Sequence, residues 1–562
     1  MSLLHTFLPL LLLHPVLGAQ SGSPVGAPVG SPVGSPVGSQ SGAPAAAGKA
    51  SAQTLGRMER DWVQARVTDQ PGMGLEYALL KPVEVIAALF AEGPNQAWAR
   101  NISSLELQLT HLNRRQLEPL DAARYDALQA ALLTERILID TLAAERWHAI
   151  GFIKRIEGTL RKLSQAPPSA QGYQVLSSIL EQLPSYWQAA ERSLISPLQE
   201  WNELGADHLA LTNELIAGLR SRDVAQFFEQ DTQLRWKAVI DRALESGRRF
   251  ETWLRTPPSR AGNAPARLGR ERWLRLAQAA SGSSLELGKL KWRVLGFLAE
   301  TEQAHGQAWR PKSGDEPAPP MKRPLQHVNS VSAAARQFLG AAELLGDATL
   351  PSVEARFQFR ELQPGPLRTV TSLRREDPLQ LFLDPELASA SRAQLTALTL
   401  REVLAQTWFP RERAAQQTRA ISEAWGLYVL DWPLRIDWVD NDLKAIPGLE
   451  AAAAHLQVIE AARLLASIEL HSEAFSSIEA TELFVQRTAL SVPRARREIQ
   501  AATLDPLYGI GALLFLELRS LERSLGGDQE ALRTGLLLSQ TRPGLRPRDI
   551  RTAIGLDPKP KR

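Results

Sequence analysis

Cysteine is absent from all 562 residues. That single absence excludes disulfides, thiolate metal sites, a cysteine nucleophile and a thioether-linked lipid anchor on this sequence. Core packing must therefore supply the stability. Histidine is scarce, with nine residues. His5 and His14 fall in an apolar start. The others are His111, His148, His208, His305, His327, His455 and His471, and the nearest two, His455 and His471, are 16 residues apart. No helix can present two of them at i, i+4, so an ordinary zinc-hydrolase site cannot be assembled locally. GxSxG elbows, Walker loops and strand-to-helix GxGxxG turns are missing as well. Charge of one sign is not in excess: 64 basic residues stand against 61 acidic ones, a net of +3. Arg and Glu alternate without long blocks, apart from the basic tail Lys559–Arg562. Neither a nucleic-acid footprint nor a membrane-surface stripe is present.

Residues 1–19 carry an apolar run from Phe7 to Leu17, followed by the small residues Gly18 and Ala19. The run is too short for a membrane span and reads as a secretory signal segment. Later in the chain no stretch reaches ~18 uninterrupted apolar residues, the length a second span needs. From Ser23 to Gly38 the sequence repeats SPVG-APVG-SPVG-SPVG. Proline every fourth residue blocks helix hydrogen bonding, and glycine every fourth raises the entropy of ordering. Residues 20–53 are therefore expected to be a Pro/Gly/Ser linker. Together these features predict an exported protein, periplasmic, envelope-associated or secreted.

The remaining chain, 44% hydrophobic overall, is of ordinary globular composition. After Pro119, with Asp121 as expected N-cap, Leu128, Leu132, Ile139 and Leu142 share one helical face. Similar stripes run over 148–163, 173–194, 209–219 and 238–254. Pro167-Pro168, Pro257-Pro258 and the stretch 311–324 break them. An N-terminal helical half (54–310) and a C-terminal helical half (325–550) follow, with a tail at 551–562. Between 353 and 385 the period changes, and two or three short strands are expected around a Gln363–Pro366 turn. The fold class is thus mainly α, a large multi-helix body with a small inserted β-sheet.

Residues 400–430 read LREVLAQTWFPRERAAQQTRAISEAWGLYVL. This stretch resembles an exported bacterial family, domain-of-unknown-function family eight-eight-five, which is similar to helical zincin-like metallopeptidases and carries HExxPGHxxQ followed by EGWALY. Aligned without a gap, Glu402 falls on the family's general-base glutamate. Arg401 replaces the first histidine, Thr407 the second, and Pro410 the glutamine. Glu423 in Glu423-Ala424-Trp425-Gly426-Leu427-Tyr428 matches the third metal ligand. Further on, Arg463 and His471 resemble the family's R-L-x-x-D-x-G-x-H helix, with Ser467 and Glu469 in place of its Asp and Gly. Tyr508-Gly509-Ile510-Gly511 resembles its Y-x-I-G segment, and the histidine of the family's terminal FHD motif has no counterpart.

The resemblance implies zinc in relatives and no cofactor here. Guanidinium is permanently protonated and offers no lone pair to a metal, and a hydroxyl is a poor substitute for imidazole. Glu402 would then have no metal-activated water to deprotonate. The remnant positions Glu402, His471 and Tyr508 are the candidate catalytic residues. Arg401 either forms an ion pair with Glu423 where the metal charge would lie, or points to solvent. Trp425, Leu427 and Tyr428 read as core. Three functions stay open: an inactive exported relative of metallopeptidases whose cleft binds a peptide or envelope component, a hydrolase with an atypical site, and a structural envelope scaffold.

Overall fold

The computed structural model describes residues 43–71, 75, 80–90, 94–142, 149–165, 168–194, 199–256, 268–309, 323–341, 353–357, 367–370, 379–383, 390–408, 419–430, 446–472, 475–526, 534–535, 538 and 544–556. The expected signal segment, the repeat and the Gln363–Pro366 turn lie outside these residues. Residues 47–562 form one compact unit.

Among the described residues eight helices come first: α1 (Ala43–Asp69), α2 (Pro82–Leu89), α3 (Pro94–Thr110), α4 (Pro119–Ile137), α5 (Ile150–Gln165), α6 (Ala170–Ser193), α7 (Gln199–Gly218) and α8 (Gln230–Arg255). Then follow α9 (Arg270–Ser281), α10 (Leu287–Trp309) and α11 (Pro324–Ala341). Their ends have local causes. Pro82 and Pro119 stand in first turns, where a missing N–H costs nothing. Ser169 caps α6 by accepting a hydrogen bond from the Gly172 amide at 3.0 Å. Gly282 closes α9 at φ +73°. The start of α4 differs from expectation: the cap position is Glu118 and Asp121 sits inside the first turn, because Pro119 fixes the helical φ two residues earlier. Beyond Ile137 that helix widens into a π-helical turn over Leu138–Leu142, so Ile139 and Leu142 do not continue the α stripe.

The expected small sheet is present. Strands β1 (Val353–Phe357), β2 (Leu367–Val370) and β3 (Leu379–Leu383) lie in the order β1-β3-β2. The first pair is parallel, with Val353 opposite Leu379, and the second antiparallel, with Leu367 opposite Leu383. The sheet's outer strands pack on α11 and on α12 (Arg392–Trp408). The chain ends in α13 (Arg419–Leu430), α14 (Leu449–His471), α15 (Ser477–Thr488), α16 (Val492–Leu504), α17 (Ile510–Ser524) and α18 (Pro547–Ala553). The fold is mainly α.

Three apolar clusters form the interior. One joins α5–α8 around Trp187, Phe250 and Leu209. A small one holds α1, α3 and α4 together through Leu55, Trp62, Trp98 and Leu132. The largest gathers α9–α18, and reaches back to Ala123 and Ile137 of α4. Residues on both sides of the expected 311–324 boundary thus share one core. At its centre lies α14, in which every residue from Ala451 to His471 is buried. By length and mean hydropathy (1.2) it could cross a membrane, yet 89% of that window is buried inside the protein. It is a core helix.

Trp187 stacks on Phe250 with ring centroids 5.4 Å apart and is 1% exposed. Trp187→Ala is expected to lower unfolding stability by about 3–5 kcal/mol with an unchanged urea m-value. A midpoint shift below a quarter of that would show that α5–α8 do not unfold with the rest.

Candidate functional site

An all-round apolar helix can be buried without further provision, but α14 carries Glu460, Arg463 and Glu469 in its interior stretch. Buried charges persist only when paired and hydrogen-bonded. The pairing residues come from three other helices. On α12, Arg401 places Nη2 at 3.0 Å from Glu460 Oε1, and the two side chains are 11% and 0% exposed. Glu460 also accepts from Arg463 Nη1, one turn along the same helix. Arg463 grips Glu498 of α16 bidentately, with Nε to Oε2 at 2.7 Å and Nη2 to Oε1 at 2.9 Å. Tyr508 completes the chain: its hydroxyl donates to Glu498 Oε2, and its ring lies 5.0 Å from the Arg463 guanidinium carbon.

Two guanidiniums and two carboxylates thus alternate as Arg401–Glu460–Arg463–Glu498, and their formal charges cancel. Burial raises the Glu498 carboxyl, but Arg463 and the Tyr508 hydroxyl outweigh it and hold the group below the ordinary carboxylate range. Burial likewise opposes charge on Arg463, and Glu460 and Glu498 override it, so its pKa stands well above the usual arginine value.

Tyr508 owes its place to Gly509. That residue has φ +89°. A Cβ there would lie 2.6 Å from the Leu464 backbone nitrogen and 2.7 Å from the Arg463 carbonyl carbon. Only glycine lets the loop press onto the α14 backbone beside Arg463.

The sequence-predicted positions divide clearly. Arg401 is neither solvent-facing nor without a carboxylate, and its close partner is Glu460, a residue the motif comparison did not single out. Glu402 is adjacent, with Oε1 3.8 Å from Arg401 Nε. The side chains of Thr407 and Glu423 lie outside the described residues, so the expected Arg401–Glu423 pair does too. Tyr508 joins the ionic chain, which commits its proton to Glu498. His471, 2% exposed, turns Nε2 to the Ala502 carbonyl at 3.0 Å and so ties α14 to the backbone of α16. Ser467, in the motif's Asp place, accepts from Trp273 Nε1 at 3.1 Å. Glu469, in the Gly place, pairs with Lys291. Trp425 and Tyr428 are core residues meeting edge to face at 5.8 Å.

Zinc does not fit this donor set. Arg401 is a cation with no lone pair, and its carboxylate neighbour Glu460 is already bridged by two guanidiniums. Among the described residues no group of three or more His, Asp or Glu could hold a metal ion.

Tyr508 also faces a cavity of about 360 Å³ bounded by α1, α4, Ile421 of α13, the 505–508 loop and residues 544–546. Sequence reasoning missed it. Its lining residues lie in segments more than 400 positions apart, and no local pattern connects them.

The class defined here is a cysteine-free, mainly α protein organised around one buried helix. Solved structures share that fold, among them the following two. One is of a "putative lipoprotein of unknown function" from Shewanella oneidensis. It matches at TM-score 0.60 and 13% identity over 88% of this chain and 98% of its own. Another is of a "putative lipoprotein" from Colwellia psychrerythraea, and it matches at TM-score 0.64 and 14% identity over 90% and 100%. No protein-family model matches the chain, and no curated protein matches its sequence. The comparisons thus show a shared fold alone, and nothing in them supports the zinc-metallopeptidase side of the motif resemblance.

Two outcomes are expected from the network. Glu498→Gln leaves Arg463 short of a buried counter-charge and should cost about 3–5 kcal/mol at pH 7. Because Glu498 is depressed in the folded state, the unfolded chain binds more protons at mildly acidic pH. Its contribution is therefore full above the unfolded value near 4.5 and is lost as pH falls through the folded value. Urea midpoints measured from pH 7 to 3 should fall more steeply for the wild type than for Glu498→Gln. Gly509→Ala, which strains φ and drives a methyl into α14, should cost about 2–4 kcal/mol. A wild-type midpoint for Gly509→Ala would refute the close approach.

Proposed function

We propose that this chain is an exported cell-envelope protein that binds a ligand and does not hydrolyse it. The observation that carries the reading is the Arg401 guanidinium on Glu460: a fixed positive charge occupies the position where the resembling family places its first metal-binding histidine. A carboxylate beside such a cation lacks the metal-polarised water that zinc hydrolysis needs. The apolar start and the Pro/Gly/Ser repeat support export. That both fold neighbours are described as lipoproteins supports the envelope as destination. With no cysteine, these 562 residues cannot carry a thioether lipid, so association with the envelope would rest on the N-terminal segment or on a partner.

The reading makes two measurable claims. Purified protein should hold no stoichiometric zinc by elemental analysis and should cleave no quenched fluorescent casein, with Glu402→Gln indistinguishable from wild type. Zinc at one equivalent with casein cleavage that Glu402→Gln abolishes would establish the hydrolase reading instead. In fractionated cells producing the tagged chain, the protein should appear in the envelope or periplasmic fraction, and recovery in the cytosol alone would refute export.

A further inference from the structure

The cavity beside Tyr508 is long. On α1 its lining residues run from Glu59 through Trp62 and Arg66 to Gln70, which share one helical face. On α4 they run from Arg124 to Glu135. The two helices lie side by side in the same direction, because Arg124 meets Glu59 at one end and Arg66 acts electrostatically on Glu135 at the other. From Glu59 to Gln70, and from Arg124 to Glu135, are eleven residue steps, about 16 Å along an α-helix. A volume of about 360 Å³ is within the ligand-site range of roughly 300–1,000 Å³. Drawn out over that length, it is a narrow passage.

The polar groups on its walls are committed to other parts of the protein. Arg124 Nε donates to Glu59 Oε1 at 3.0 Å, and Nη1 to Asp121, which lies outside the cavity. Arg546 forks onto Asp549, also outside, with both bonds at 2.7 Å, and donates to the Ala279 and Asp126 carbonyls. Asp505 Oδ1 accepts from the Leu507 amide at 3.0 Å. The Thr134 hydroxyl donates to the Ala130 carbonyl at 2.7 Å, inside α4, and the Tyr508 hydroxyl donates to Glu498. Arg66 and Glu135 are within electrostatic reach of one another.

An occupant therefore meets hydrocarbon. Trp62, Leu128 and Leu545 supply the bulk of it, and Ala127, Ala130 and Ala131 leave the room on the α4 side. The ends differ in access. The bond from Arg546 to the Asp126 carbonyl places residues 545–546 at the Glu59–Arg124 end, and Leu545 and Arg546 are 2% and 5% exposed. Among the described lining residues only Gln70, at the other end, is exposed. Gln70 marks the mouth.

We propose that this cavity takes a single-chain amphiphile, with one unbranched hydrocarbon tail directed toward Leu545 and the polar head in water at Gln70. Burial of the tail drives entry. The head's charge contributes little, because the wall ions are matched by groups of the protein. The assignment rests on the binding-protein reading above and names its ligand class.

Equilibrium dialysis of the full chain against radiolabelled 1-hexanol, 1-octanol and 1-decanol tests this directly. Each should bind one to one, with affinity rising about fourfold per added methylene, the factor that burying one CH₂ gives. Octanoate and octylamine should stay within about tenfold of octanol. The compact cage 1-adamantanol, with decanol's carbon count, should bind at least about tenfold more weakly than decanol. Ala127→Leu and Ala131→Leu each narrow the passage and should weaken decanol by at least about tenfold with wild-type circular dichroism. The ligand series on the wild type decides by itself. Affinity flat in chain length, adamantanol equal to decanol, a larger dependence on head charge, or no alkanol bound overturns the proposal. That failure is distinct from failure of the binding-protein reading, which stoichiometric zinc with casein cleavage would signal.

Discussion

A helix buried on every side has no room for an unmatched charge, and α14 carries charges in its middle. The neutral chain Arg401–Glu460–Arg463–Glu498 is the arrangement that makes its burial tolerable. Desolvation disfavours each of these ions, and only mutual attraction at close range with saturated hydrogen bonds offsets it. The consequence is geometric. Arginine's planar fork must meet Glu498 with two parallel bonds, so α14 and α16 are fixed in rotation as well as distance. Arg401 adds a contact from α12, Nη2 to Glu460 Oε1 at 3.0 Å. An apolar core alone would hold these helices together, whereas the ions specify their register.

Much of the architecture was readable from periodicity. The 3.6-residue stripes locate α5, α6 and α8, and the change of period locates the three strands. Boundaries were less legible where backbone chemistry intervened, as at Pro119, or where a stripe began late: α7 starts at Gln199, ten residues before the apolar run at Leu209 declares it. The site was legible only in part. Motif alignment singled out Arg401, Arg463 and Tyr508, all of which meet in the ionic chain. It did not find Glu460 or Glu498. Their partners are 59 and 35 residues away in sequence, and a glutamate in a helical stripe looks the same whether it faces water or a guanidinium. One signal was available: Glu460 and Arg463 stand in the largely apolar stretch 449–471, where an unpaired buried charge would be untenable.

Fold resemblance at 13–14% identity is understandable in these terms. Core packing tolerates exchange among apolar residues of similar volume, so helical order and crossing survive long after sequence similarity is lost. Polar positions inside the core are less forgiving, because changing one member strands the other. Ser467 and Glu469 are two such positions. The first offers an acceptor to Trp273 of α9, and the second reaches Lys291 of α10.

Gly509 links this internal constraint to the cavity. Because the 505–508 loop is pressed against the α14 backbone at Arg463, the Tyr508 ring cannot move without disturbing the ion chain. One face of that ring belongs to the core and another to the cavity bounded by α1 and α4. The cavity wall at Tyr508 is therefore rigid, while the opposite wall is a single helix attached mainly through the smallest apolar cluster.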